Sequence, residues 1–173
     1  MMLASVSLDS SLRVWEIRKE AVNNVNASST SQLNVPKADA RFASSNATND
    51  LTDGVLKAYP AFNIKAHPNW ISAVTFSDNG QFIATGGWDN QVKLWDAQTG
   101  KLVRTFKGHM SAILDLKFTK DGKTLISSSR DESIRFWNVR NGEMIHKITG
   151  HSGWITSIAL DAKNAVLASG GSD

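Results

Sequence analysis

Histidine, a hydroxyl residue and aspartate recur together along this chain, the inventory of nucleophilic acyl transfer. His67, His109 and His151 each close an Ala-His or Gly-His pair, 42 residues apart, and an aspartate follows each 22 positions later: Asp89, Asp131 and Asp173. Thr85, Ser127 and Ser169 stand four positions before those aspartates. A carboxylate-held histidine can take a serine proton and turn the hydroxyl into a nucleophile. The repetition speaks against it, because an active site is normally one constellation and this set returns in unit after unit. No glycine-flanked nucleophile elbow surrounds any of the serines. Nor is there a phosphate-binding glycine loop, since Gly86-Gly87 and Gly170-Gly171 fall inside strand patterns. Three of the four histidines belong to the trios, which leaves His146 and no plausible metal cluster. No catalytic residue, cofactor or metal is expected.

The elements that position these residues repeat with the same period. Trp95 and Trp137 are again 42 apart. Near the N-terminus Ser5, Asp9 and Trp15 match Thr85, Asp89 and Trp95 at an offset of 80, one period plus 38 residues. Aligning "VWEIRKE" and "YPAFNIKAH" with "LWDAQTGKLVRTFKGH" places the extra material at 21–58. That stretch is rich in Asn, Ser, Thr and Asp, with Phe42 its one aromatic, so it predicts a flexible polar insert. Each unit reads as four short strands. "ISAVTF" and "ILDLKF" end at the turn signals "SDNG" and "TKDG". "QFIATGG" and "KTLISSS" follow, then "QVKLWDA" and "SIRFWNV" with period two. Turns at Gly100 and Gly142, where a positive φ suits glycine, lead into "KLVRTFKG" and "EMIHKITG".

Composition sets the class. At 173 residues, 41% apolar and 20% charged, the chain has the makeup of a globular domain. Its longest apolar runs are only a few residues, too short to span a bilayer. Nineteen basic and sixteen acidic residues are interspersed, so no charged tail marks nucleic-acid binding. With no cysteine there is no disulfide framework, which fits an intracellular setting, cytoplasmic or nuclear.

A 42-residue unit with Gly-His before its first strand and Trp-Asp closing its third resembles the WD repeat, the four-stranded blade of a β-propeller. The resemblance implies an all-β, partial WD-repeat propeller of about three and a quarter blades, unclosed and part of a longer ring. Residues 1–20 and 59–67 would be strands b, c and d of a first, incomplete blade, with 21–58 inserted in its c–d loop. Residues 70–109 and 112–151 would be complete blades, and 154–173 the first half of a fourth. In the family the trio and the tryptophan form a buried structural chain, indole to hydroxyl to imidazole to carboxylate. That carries over to His67, Thr85, Asp89 and Trp95, to His109, Ser127, Asp131 and Trp137, to His151, Ser169 and Asp173, and to Ser5, Asp9 and Trp15.

Function is then expected where the repeats differ, on the top face formed by the b–c turns and d–a loops. The residues before the turn aspartates are Leu8, Trp88, Arg130 and Ser172, and Trp70, Ala112 and Trp154 open the first strands. Trp70, Trp88, Arg130 and Trp154 have the composition of protein-binding hot spots. A tryptophan opening strand a can equally pack on the neighbouring blade, which leaves Trp70 and Trp154 between the two roles. The expected function is a noncatalytic scaffold docking peptides or protein surfaces on this face, its partners being other proteins and the remaining blades of the ring. The alternative is a regulatory or sensor propeller attached to an enzyme or NTPase-type signalling protein.

Overall fold

Short alternating segments separated by glycine and aspartate turns cannot bury their apolar residues singly, and they do so here by stacking sheets face to face. The computed structural model describes residues 1–20, 55–163 and 165–173. Strands β1 (Met2–Val6), β2 (Ser11–Glu20) and β3 (Val55–Lys65) form a first sheet in that order. The second contains β4 (Ile71–Phe76), β5 (Phe82–Gly87), β6 (Val92–Asp96) and β7 (Leu102–Phe106). The third repeats it with β8 (Ile113–Phe118), β9 (Thr124–Ser129), β10 (Ser133–Asn138) and β11 (Met144–Thr149). The fourth contains β12 (Ile155–Leu160) and β13 (Leu167–Gly171). Among the described residues all pairings are antiparallel, and none joins the fourth sheet to the first, so the arc is open. Among the described residues there is no helix, and so none long and apolar enough to cross a membrane.

The core lies between the sheets, and successive residues of one strand serve opposite layers. Ile83 faces the first sheet with Leu12, Val14 and Ile71, while Ala84 faces the third with Leu94, Ile113 and Leu125. Leu125 and Ile126 divide in the same way, Ile126 packing with Ile134, Ile155 and Ile158. Period-two side-chain alternation makes this two-sided burial possible.

Close stacking leaves little room along the second strands. A Cβ on Gly86 would stand 2.4 Å from Ile113 Cγ2 and 2.8 Å from its Cβ. Ser128 takes this position in the third sheet, wholly buried, and its Oγ has no hydrogen-bond partner among the described residues. Gly86→Ala should therefore cost about 1–3 kcal/mol through overpacking, read as a lowered urea midpoint with an unchanged slope.

The turns follow their residues. Gly100 and Gly142 adopt φ values of 69° and 84°, the left-handed region that glycine enters without steric cost. In the turns into the third strands, Asp9, Asp89 and Asp131 accept the N–H of Ser11, Gln91 and Ser133 at 2.9, 3.2 and 3.1 Å. These side-chain bonds hold Ser10, Asn90 and Glu132 at φ of 69°, 66° and 64°.

The boundary of the insert needs correction. Residues 55–58, expected within it, are strand: Val55, Leu56, Lys57 and Ala58 pair with Glu20, Lys19, Arg18 and Ile17. Lys57 Nζ lies 2.5 Å from Glu20, whose carboxylate also accepts the Tyr59 hydroxyl, so the hairpin extends past the aligned motif. The flexibility expected of the rest of the insert falls outside the described residues.

Candidate functional site

The trio closes in space in three sheets. His67 Nδ1 lies 2.9 Å from Asp89 Oδ1, and its Nε2 lies 2.8 Å from Thr85 Oγ1, which also accepts the Trp95 indole N–H at 2.8 Å. The third sheet repeats this at 2.8, 2.7 and 2.8 Å with His109, Asp131, Ser127 and Trp137. In the fourth, His151 meets Asp173 and Ser169, both at 2.8 Å.

The donors settle the tautomer. An indole N–H can only donate and a carboxylate can only accept, so Ser127 accepts from Trp137 and Asp131 accepts from His109 Nδ1. With burial favouring the neutral imidazole, Nε2 is left to accept from the Ser127 hydroxyl. The acidities agree. Burial would raise Asp89 and Asp131, but the bonds from their histidines and nearby backbone N–H groups outweigh it and hold both carboxyls below the ordinary 3.8. Burial likewise keeps His109 below its ordinary 6.5 despite the adjacent carboxylate.

The bonding order is that of a nucleophilic triad, yet Thr85 and Ser127 are 0% exposed and their oxygens are already engaged by an indole. Neither hydroxyl is open to solvent, and each of these two sets joins a turn to the loop across from it, whereas Ser169 of the fourth sheet is exposed. The first sheet differs. Among the described residues no hydrogen bond joins Ser5 to Trp15, and Asp9 binds Ser11 and Arg13 instead. Ser5, Asp9 and Trp15 are therefore not joined into a chain of the kind seen in the next two sheets.

A second constellation stands above the turns. The backbone N–H of Trp88 donates to the Trp70 carbonyl at 2.8 Å, that of Arg130 to the Ala112 carbonyl at 2.9 Å and that of Ser172 to the Trp154 carbonyl at 3.0 Å. Each residue before a turn aspartate is thereby held beside the start of its own sheet's first strand. Trp70 and Trp88 consequently meet with ring centroids 5.3 Å apart. Arg130 reaches both neighbouring blades, its guanidinium carbon 5.0 Å from the Trp88 ring centroid and 3.6 Å from that of Trp154. The four residues expected on the top face form one row across three sheets. Trp70, Trp88 and Trp154 stay 46%, 39% and 47% exposed.

Leu8, compared with Trp88 and Arg130 from the sequence, is exposed on the first turn, and one exposed apolar residue escaped the sequence reading, Met110 just after His109. Met110 accepts a 3.4 Å bond from Asn90, which links adjacent blades. Its place in a loop that carries a network histidine was the available signal.

Elsewhere, a groove of about 390 Å³ lies at the far ends of the strands, lined by Asp78, Lys117, Phe118, Lys120 and Asp161 among others. Among the described residues no group of three His, Asp or Glu could hold a metal ion.

Comparison with known proteins agrees with the repeat. A stretch of 45 residues is 42% identical to Ribosome assembly protein 4 of Chaetomium thermophilum, covering 26% of this chain and 9% of that protein. Antiviral protein SKI8 of Saccharomyces cerevisiae is 32% identical over 25% of the chain and 11% of its own length. WD repeat-containing protein RUP2 of Arabidopsis thaliana is 37% identical over 30% of the chain and 14% of its own length. The matches thus span only a small part of these relatives. The solved structure of U3-55K has the same fold over 89% of this chain and 37% of its own, with a TM-score of 0.63 and 19% identity. Residues 58–96, 100–138 and 142–173 each match the WD domain, G-beta repeat. With most of its length in matched repeats and its strands in blade-like sheets, the chain belongs to the WD-repeat family.

Proposed function

We propose that this chain is a noncatalytic interaction scaffold that docks protein segments on the face carrying Trp70, Trp88, Arg130 and Trp154, with the His–hydroxyl–Asp–Trp sets as its structural frame. The carrying observation is the row itself, three half-exposed indoles and a guanidinium in contact across neighbouring blades. Interface hot spots are enriched in tryptophan and arginine because each offers a large contact area with few rotatable bonds to freeze or a pre-organised donor fork. These contacts order the side chains before a partner arrives, which lowers the entropic cost of binding. The likeness to a ribosome assembly protein supports a place in a multiprotein assembly inside the cell, cytoplasmic or nuclear.

The test is partner recovery by quantitative affinity purification. A Trp88→Ala, Arg130→Ala double variant should lose specific partners more than tenfold, as expected when two hot-spot residues are removed. A Lys120→Ala control at the far ends of the strands should retain them. Equal recovery by the double variant and the parent would remove the row from the interface.

A further inference from the structure

The side-chain polar atoms that the row offers are all hydrogen-bond donors. They are the Arg130 guanidinium N–H groups and the indole N–H of Trp70, Trp88 and Trp154, and among the described residues no side-chain hydrogen bond or ion pair occupies them. The structural indoles differ, since Trp95 and Trp137 donate to Thr85 and Ser127. Arg130 is distinctive in a second way. Its guanidinium carbon lies over the rings of both Trp88 and Trp154, and its Nε is buried without a partner. A guanidinium held over aromatic rings still has its N–H donors in its own plane, and their fork matches two parallel carboxylate oxygens.

The nearby acids do not fill this role. Asp131 is spent on His109, Ser133 and the Met110 N–H, and Asp89 on His67 and Gln91. Glu132, exposed in the same turn, makes no ion pair with Arg130. A row with donors only, one cation and apolar rings calls for an acceptor-rich partner carrying one negative charge. Phosphate fits less well, because its near-double charge favours more than one cation and Glu132 stands two residues from the single one present.

We infer that the row binds an acidic peptide segment of a partner protein, one Asp or Glu carboxylate pairing with the edge of Arg130 while flanking apolar residues cover Trp70, Trp88 and Trp154. This rests on the docking function proposed above and adds the chemistry of the partner. The carboxylate supplies specificity and the indoles supply contact area.

A random linear peptide library displayed on phage, selected against the intact chain, tests it. Recovered peptides whose binding is lost in Trp88→Ala should share one Asp or Glu. In synthetic copies, changing that acid to Asn or Gln should weaken binding about tenfold, the range of one charge-assisted hydrogen-bond pair. Against Arg130→Gln the acidic peptide and its amide copy should bind equally, a comparison made on one folded variant. Peptides that depend on Trp88 but contain no acid would overturn the carboxylate and leave the docking face standing. Phosphoserine binding more than tenfold tighter than the acid at that position would overturn the choice of carboxylate. Recovery of peptides insensitive to both substitutions, or of none, would overturn the docking face and this inference with it.

Discussion

Trp137→Ala lowers the unfolding free energy by about 3–5 kcal/mol, whereas Trp137→Phe costs well under half of that. The side chain is 2% exposed between the second and third sheets, packed with Leu94, Ile113 and Leu125. Its ring centroid stands 5.7 Å from that of Phe106 and 6.0 Å from that of His109. Truncation leaves a cavity that two paired sheets cannot collapse around, and it frees the Ser127 oxygen in a dry interior. Phenylalanine keeps most of the packing and loses only the donor. Urea unfolding measures both, and melting temperatures should fall by about 2–4 °C per kcal/mol for a chain of this size. A loss below about 1 kcal/mol for the alanine variant would show that packing between sheets is not what holds the arc together.

His109→Ala costs roughly 3 kcal/mol near neutral pH, because both its partners are left in the interior. Ser127 loses its acceptor, and Asp131 keeps only Ser133, the Met110 N–H and Arg135 at 3.7 Å. The same change at His151, whose side chain is 25% exposed, should cost under about 1 kcal/mol since water replaces the lost bonds.

The pH dependence has a definite sign. His109 titrates lower in the folded protein than its ordinary 6.5, so its contribution is full above that value and is lost as pH falls and the unfolded chain takes up the proton. Asp131 is also depressed, so its contribution is present above the ordinary 3.8 and is lost as pH falls through its folded value. Stability therefore declines on acidification, first below about pH 6.5 and again below about pH 4. The gap between parent and His109→Ala should narrow between about pH 7 and pH 5 in urea titrations. A constant gap would place the histidine outside the coupled set.

Much of the candidate site was legible because it is written in local and periodic terms. The spacing of His109, Ser127, Asp131 and Trp137 repeats that of His67, Thr85, Asp89 and Trp95, and equal spacing within equal strands puts side chains at equal places. The positions that vary against this frame, Trp88 and Arg130, could be picked out by comparing one repeat with the next. Two expectations met contacts that spacing does not encode. Val55–Ala58 joined the first hairpin through pairing with Ile17–Glu20 and the polar grip on Glu20, which the aligned motif did not include. Ser5 and Trp15 share the spacing and the strand register of Thr85 and Trp95 but no hydrogen bond, a difference that spacing and register do not encode.

By itself, then, the order of residues pointed to most of the strands and turns and to the His–hydroxyl–Asp sets that close in three sheets, because each depends on side-chain period and on neighbours within one sheet. Tertiary structure alone decided that Arg130 lies between Trp88 and Trp154. Those three residues come from three different sheets, and the angle and spacing at which the sheets stack, set by contacts such as Gly86 against Ile113, determine how far a side chain on one blade reaches over the next.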